Sequence, residues 1–182
     1  INAARAAVEL ALLDAYSRSF RRPIGVAIDW LGLPGLGAPG SVPTVTYSAI
    51  LSGRTSSLKR KTRMMRWYGL RDFKLKVGYD DDVERVQVVA KVLGKSLNRT
   101  TSLRIDANSA WSLGRATAVL NALPVGLLSC IEQPFARSDD PLLQQLKKVV
   151  NIKIMPDESL VTMDDAKRMV NMGVADMFNI RI

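Results

Sequence analysis

The sequence predicts an α/β fold of the (β/α)₈ TIM-barrel type, here a partial barrel of about six βα units. Three observations lead to this fold class. From Pro43 onward, strand-like and helix-like segments alternate with short connections, which is typical of parallel βαβ units. A polar or charged residue ends each of the later strands, and charged and apolar side chains alternate within the strand that contains Lys74.

The sequence predicts that the chain consists of two segments. Residues 1–42 comprise a helix over residues 2–19 and a Gly/Pro connector that leads into the barrel. The connector contains a G-x-G-x-x-G spacing that begins at Gly35, but a dinucleotide site needs a helix to open there. The prolines and β-branched residues that follow argue against that helix, so we interpret the segment as a turn-rich linker. Residues 43–182 form the partial barrel.

The elements of the repeat follow from local pattern. Strands are predicted in the segments TVTYSAIL, DFKLKV, SLRIDAN, GLLSCIEQ, NIKIMPD and DMFNIRI. Helices are predicted over residues 57–68, 81–94 and 113–122, the last with Ser112 as its N-cap. A further helix is expected to start at Asp140-Pro141, and another to run from a capping box at Thr162 and Asp165 to Gly173.

The alternation alone fits an open doubly wound sheet as well as an eight-stranded barrel. The strand-end residues favour the barrel, because they recur at spacings of 30, 26, 25 and 24 residues, one for each unit. They are Lys76, Asp106, Glu132, Asp157 and Arg181. An open sheet would concentrate such residues at its switch point instead.

Lys74 and Lys76 share one face of their strand, while Phe73, Leu75 and Val77 share the other. The apolar set is expected to pack on the helices, with both lysines pointing into the barrel. Two adjacent ammonium groups depress each other's pKa, so one lysine could act as a base and the other could hold an anion. The alternative is an edge strand protected by charge against aggregation.

Composition limits the chemistry. The chain has one cysteine and therefore no internal disulfide. It has no histidine, so no imidazole is present to serve as a base or as a metal ligand. No signal peptide and no apolar run of about 18 residues is visible, and we expect a cytoplasmic protein without a membrane span. The net charge of +9 raises nucleic-acid binding as a hypothesis, but no nucleic-acid motif accompanies the basic cluster, which fits a solvated helix face better.

Asp106, Glu132 and Asp157 would repel one another at one rim of the barrel. A divalent cation removes this conflict, and Mg²⁺ suits a site that offers only oxygen ligands. Each residue taken alone is more often a helix cap or a loop residue. The functional interpretation therefore depends on their recurrence in register.

Four motifs together resemble the enolase superfamily, in its muconate-lactonizing branch. They are KLK at 74–76, DAN followed by AW within 106–111, IEQP at 131–134 and DES at 157–159. The resemblance implies Mg²⁺-assisted abstraction of the proton α to a substrate carboxylate, through an enediolate. It also implies that the family's N-terminal capping domain and last two βα units are missing from this chain, which would then be truncated.

The resemblance assigns roles residue by residue. Asp106, Glu132 and Asp157 would bind Mg²⁺, with Asn108 and Asn179 supporting these ligands. Lys76 would be the acid/base and Lys74 would stabilise the enolate. Where the branch usually has a lysine on the sixth strand, this chain has Arg181, which stays protonated and so is a poor second base.

The predicted function is therefore a muconate cycloisomerase-like isomerase that acts on a small carboxylate, with Arg181 as a cationic stabiliser. A dipeptide epimerase, an o-succinylbenzoate synthase-like lyase and a non-catalytic relative remain alternatives. A homo-oligomer is possible, and no nucleic-acid partner is expected.

Overall fold

The computed structural model of the chain describes residues 2–23 and 46–180. The described residues form five strands: β1 (Ser48–Leu51), β2 (Asp72–Lys76), β3 (Ser102–Asp106), β4 (Ile131–Glu132) and β5 (Ile154–Met155). They also form six α-helices: α1 (Asn2–Ser19), α2 (Thr55–Trp67), α3 (Asp82–Leu93), α4 (Leu113–Asn121), α5 (Leu142–Val149) and α6 (Met163–Asn171). Short 3₁₀ turns lie at Gly94–Ser96 and Arg137–Asp139.

The strands form one parallel sheet in the order β1-β2-β3-β4-β5, so strands that follow one another in the chain are neighbours in space. A helix follows each strand, as the sequence predicts. The α/β class and the parallel sheet are thus confirmed.

The two faces of the sheet differ in character, as the strand parity predicts. Phe73 and Leu75 of β2 and Leu103 and Ile105 of β3 are fully buried, as is Ile131 of β4. They belong to one apolar core that also includes residues of the helices: Leu58, Val86, Val89, Ala116, Val119, Leu143, Leu146 and Met169. The side chains of opposite parity include the charged residues of the predicted site.

The helix caps are set by local sequence. The hydroxyl of Ser112 accepts a hydrogen bond from the backbone N–H of Arg115, which confirms it as the N-cap of α4. Thr162 and Asp165 form the expected capping box at the start of α6. Gly173 follows α6 with a φ of +67°, a left-handed backbone that suits glycine at a helix end.

The sequence prediction is wrong for the start of α5. Asp140 and Pro141 were expected to open this helix, but it begins at Leu142. The Asp140 carboxylate instead accepts hydrogen bonds from Ser159 Oγ at 2.6 Å and Arg168 Nη2 at 2.8 Å. These partners, which are distant in sequence, replace the local cap.

The later strands are shorter than predicted. β4 and β5 contain two residues each, although ladder-like bonds continue beside them, such as Ser129 N to Leu103 O at 2.8 Å. Residues 176–180, expected to begin a sixth strand, carry no strand within the described part of the chain. They nevertheless run beside β5, because Met177 N bonds Ile154 O at 3.3 Å and Asn179 N bonds Pro156 O at 3.2 Å.

Residues 2–23 and residues 46–180 belong to different compact units. In the first, α1 carries two ion pairs at i,i+4 spacing, Arg5–Glu9 and Asp14–Arg18, both at 2.8 Å. The predicted boundary at residue 42 and the Gly/Pro connector lie outside the described residues. None of the described helices has both the length and the hydrophobicity that crossing a membrane requires.

Candidate active site

Charged side chains stand next to one another at the carboxyl end of the sheet. The strand register pairs Lys76 of β2 with Asp106 of β3, and Asp106 with Glu132 of β4. Neighbouring strands lie about 4.8 Å apart, so residues in register on one face are in contact distance. One residue from each of three strands therefore meets at this end, as the spacing of the motifs predicts.

Lys74 lies between two carboxylates. Its Nζ is 2.7 Å from Asp106 Oδ2 and 2.6 Å from Glu132 Oε1. Lys76 Nζ also contacts Asp106 Oδ2, at 2.6 Å. The side chain of Lys76 is 28% exposed and that of Lys74 only 11%, so Lys76 is the more accessible of the two to a small molecule.

The ion pairs shift the pKa values in this cluster. Burial alone would lower the pKa of Lys74, but its hydrogen bonds with Asp106 and Glu132 outweigh burial and hold that pKa above its ordinary value. Burial would raise the pKa of Asp106, but hydrogen bonds from both lysines and from the Asn108 backbone hold it below its ordinary value. The expectation that the two lysines depress each other's pKa is thus wrong for Lys74 in this arrangement, because the carboxylates dominate.

Glu132 is fully buried and has cationic and amide partners. Its Oε1 accepts a hydrogen bond from Asn179 Nδ2 at 2.9 Å in addition to that from Lys74. Its Oε2 is 3.5 Å from Arg104 Nε, yet it accepts no hydrogen bond from any described residue. Glu132 therefore offers one buried carboxylate oxygen whose hydrogen-bonding capacity is unused among the described residues.

Asn108 connects Lys76 to the segment after β5. Its Oδ1 accepts a hydrogen bond from Lys76 Nζ, and its Nδ2 donates to Glu158 Oε1 at 3.0 Å. Its backbone N–H donates to Asp106 Oδ1 at 2.9 Å. Asn108 and Ser109 have φ values of +45° and +66°, so two successive non-glycine residues adopt left-handed backbone here.

Asp157 lies two residues beyond β5 and is 3% exposed. Its backbone N–H donates to the side chain of Gln133 at 2.8 Å, and Gln133 directly follows Glu132 in sequence. Asp157 is thus tied to the end of β4 through the residue next to Glu132. Arg181 lies outside the described residues.

The described part of the chain contains no group of three or more acidic or cysteine side chains already arranged to hold a metal ion. The chemistry of the donor set nevertheless fits Mg²⁺, which prefers carboxylate oxygens. Asp106 and Glu132 already share one cationic group, the ammonium of Lys74. The unused oxygen of Glu132 offers a further donor atom at the same place.

Comparison with known proteins assigns the chain to a family. Residues 57–182 match the model of the family described as enolase C-terminal domain-like. The chain therefore belongs to this family, within the enolase superfamily that its motifs resemble.

Several relatives and solved structures are similar to the chain. A hydrophobic dipeptide epimerase of Enterococcus faecalis is 28% identical over 180 residues, which is 99% of this chain and 48% of the relative. A muconate lactonizing enzyme from Pseudomonas fluorescens, solved with muconolactone, has a TM-score of 0.79 at 28% identity, covering 94% of this chain and 44% of that one. A dipeptide epimerase from Cytophaga hutchinsonii, solved with Mg and D-Ala-L-Val, has a TM-score of 0.71 at 26% identity, covering 86% and 40%. The chain thus spans about half the length of the curated relatives that it matches.

Sequence reasoning missed three residues that contact the site. Arg104 has the parity of the site face but had no assigned partner, and the structure pairs it with Glu132. Glu158 of the DES motif was assigned no role, yet it accepts a hydrogen bond from Asn108. Gln133 of the IEQP motif was also assigned no role, yet it accepts one from the backbone of Asp157. Their position inside these motifs was the available signal.

Proposed function

We propose that this chain is part of a (β/α)₈ barrel enzyme that removes the proton α to a carboxylate of a small substrate, in an isomerase reaction of the muconate cycloisomerase type. The observation that carries the proposal is the cluster of Lys74, Lys76, Asp106 and Glu132, which adjacent strand ends bring into direct contact. Membership of the enolase C-terminal domain-like family supports the same chemistry.

Asp106, Glu132 and Asp157 would hold Mg²⁺. Bound there, the cation would supply positive charge to the substrate carboxylate and to the enediolate that proton removal creates. The solved dipeptide epimerase from Cytophaga hutchinsonii contains Mg, in agreement with this assignment.

The two lysines would have different catalytic roles, because their side chains differ in exposure to solvent. Lys76 is the more exposed, and its neutral amine would accept the proton while the C–H electron pair moves onto the carboxylate oxygens. Lys74 is nearly buried between two carboxylates, and the raised pKa keeps it cationic. It would therefore add fixed positive charge beside the substrate rather than exchange a proton.

A two-base epimerisation is the second candidate, because a dipeptide epimerase is among the relatives of the chain. It needs a second base on the opposite face of the substrate. Arg181 occupies the sequence position of that base, and a guanidinium does not lose its proton in proteins. This residue therefore favours a reaction that uses a single base, with Arg181 as a stabilising cation.

Hydrogen–deuterium exchange at the substrate α-carbon tests the proposal. The full chain is incubated with Mg²⁺ in deuterated water with either muconolactone or D-Ala-L-Val, the two compounds bound by structural neighbours. Proton NMR should show loss of the α-proton signal, and Lys76→Ala should slow this loss about 10²- to 10⁴-fold. Lys59→Ala, which removes an exposed lysine on α2, is the matched control and should exchange at the parent rate.

Two results would contradict the proposal. Undiminished exchange in the Lys76→Ala variant would remove Lys76 from the acid/base role. Absence of exchange by the parent chain on both compounds, with Mg²⁺ shown to bind, would favour a metal-binding relative without turnover.

A further inference from the structure

The side chain of Gln133 uses its full hydrogen-bonding capacity within a buried network. Its Oε1 accepts hydrogen bonds from the backbone N–H groups of Asp157 at 2.8 Å and Ser159 at 3.1 Å. Its Nε2 donates to Phe135 O and to Ser159 Oγ, both at 2.7 Å. An amide has two donor hydrogens and two acceptor lone pairs, so none remains for another partner.

The orientation of this amide is determined by the groups around it. Ser159 Oγ donates its single hydrogen to Asp140 Oδ1 at 2.6 Å, so it can only accept from Gln133. Asp140 is held in turn by Arg168 Nη2 at 2.8 Å. Gln133, Ser159 and Asp140 are at most 2% exposed, so water does not compete for these bonds. A reversed amide would place N–H groups against N–H groups at Asp157 and Ser159.

The location of Gln133 gives this network its significance. Gln133 directly follows Glu132 and has a φ of +37°, a left-handed backbone at the point where β4 ends. Gln133 therefore follows directly on the strand that carries Glu132, and its side chain accepts hydrogen bonds from the backbone N–H groups of Asp157 and Ser159. A single side chain thus fixes one proposed magnesium ligand relative to the other.

We propose that Gln133 is a positioning residue that sets the placement of Asp157 against Glu132, with Ser159 and Asp140 fixing the direction of its amide. The inference rests on the proposed function in so far as it treats both carboxylates as Mg²⁺ ligands. That Gln133 holds the backbone of residues 157–159 by hydrogen bonds is a separate claim, which can be tested on the metal-free chain.

Three variants of the full chain and one control separate these statements. Gln133→Leu keeps the approximate volume and loses all four hydrogen bonds, whereas Gln133→Glu keeps acceptors for the two backbone N–H groups. Ser159→Ala removes the hydroxyl that links Gln133 to Asp140 and serves if the leucine variant does not fold. Thr62→Val is the control, because Thr62 is equally buried and, among the described residues, its hydroxyl donates to Leu58 O within α2.

Two quantities are measured. Amide hydrogen exchange in metal-free protein reports the protection of the Asp157 and Ser159 N–H groups, and titration calorimetry reports the dissociation constant of Mg²⁺. Gln133→Leu should speed exchange at both amides about fivefold or more, the change expected from losing one typical hydrogen bond. It should weaken Mg²⁺ binding roughly 10- to 100-fold, as loss of groups that hold metal ligands usually does.

The other variants should follow the hydrogen bonds that each one keeps. Gln133→Glu should restore part of the amide protection, and Ser159→Ala should show a smaller loss in the same direction. Thr62→Val should leave both quantities at the parent values even if it lowers the unfolding midpoint. This pattern distinguishes positioning from a general loss of stability.

Each outcome tests either the role of Gln133 or the proposed function. Unchanged exchange at Asp157 and Ser159 in the leucine variant overturns the inference, whatever the metal does. Faster exchange with an Mg²⁺ dissociation constant within about twofold of the parent overturns the link between Gln133 and the metal site. A parent chain that binds no Mg²⁺ contradicts the proposed function instead, and the exchange rates still decide whether Gln133 holds the segment after β5.

Discussion

Replacing Asp82 with alanine should destabilise the chain strongly, because the Asp82 carboxylate is buried and hydrogen-bonded to two different loops. Asp82 lies in the first turn of α3, is fully buried, and accepts hydrogen bonds from residues of two loops. Its carboxylate accepts hydrogen bonds from the backbone N–H groups of Gly78 at 2.9 Å and Tyr79 at 3.0 Å, in the loop that follows β2. It also accepts one from Trp111 Nε1 at 2.9 Å, in the loop that follows β3.

The expected magnitude follows from these three donors. Hydrogen bonds to a charged group contribute about 1.5 to 3 kcal/mol each, and a buried donor without a partner costs a similar amount. Gly78 and Tyr79 are exposed residues, so their N–H groups can turn to water after Asp82→Ala, whereas Trp111 is buried. We therefore expect a loss of about 3 to 5 kcal/mol, a large part of the roughly 5 to 15 kcal/mol that stabilises a typical domain.

Urea unfolding followed by far-ultraviolet circular dichroism measures this loss. Trp111→Phe removes one of the three donors and should cost about 1 kcal/mol beyond its packing loss, and the double variant should show a coupling of about 1 kcal/mol between the two sites. A loss below about 1 kcal/mol for Asp82→Ala would refute the argument, because it would mean that the three bonds contribute almost nothing net.

Two further substitutions test local geometry and charge. Gly78→Ala should destabilise the chain by about 1 to 3 kcal/mol, because φ is +105° and the new Cβ would lie 2.8 Å from Ala110 Cβ. Gly114→Ala, on α4 with open space around it, should be neutral or stabilising by about 0.5 to 1 kcal/mol in the same urea assay, and equal effects at the two glycines would contradict this reasoning. For Asp165, burial would raise the carboxyl pKa, but hydrogen bonds from Thr162 and Val161 outweigh it and lower that pKa from 3.8 to about 2. Because the folded pKa lies below the unfolded one, about 2 kcal/mol of stability should be present above pH 4 and disappear as the pH falls towards 2. Asp165→Asn should lack this component, and an identical decline in both proteins would show that other groups cause it.

The sequence was informative wherever a signal is local. The period of two in FKLKV separated the lysines of β2 from its apolar residues, and the structure places Phe73 and Leu75 in the apolar core but Lys74 against Asp106 and Glu132. Ser112, Thr162 and Asp165 were identified as capping residues because their hydrogen bonds join residues three apart. The regular spacing of the strand-end residues placed Lys76, Asp106 and Glu132 at one end of a parallel sheet, where the register aligns them.

Contacts between residues that are distant in the sequence could not be predicted in the same way. Asp140 has the local pattern of a helix cap, and only the approach of Ser159 and Arg168 in three dimensions changes its partners. The pKa of Lys74 was expected to be depressed by Lys76 because that neighbour is visible in the sequence. The opposing effect comes from Asp106 and Glu132, on strands 30 or more residues away. The short ladders of β4 and β5 likewise depend on pairing rather than on composition.

The left-handed backbone after β4 is a source of strain that a side chain offsets. Gln133 holds a conformation that glycine would adopt with less strain, by roughly 1 kcal/mol or more. A glycine there would lose the four buried hydrogen bonds of the amide, which contribute about 1 kcal/mol each. The hydrogen bonds outweigh the strain, so glutamine should be the more stable residue at this turn although its backbone conformation is the one that glycine prefers.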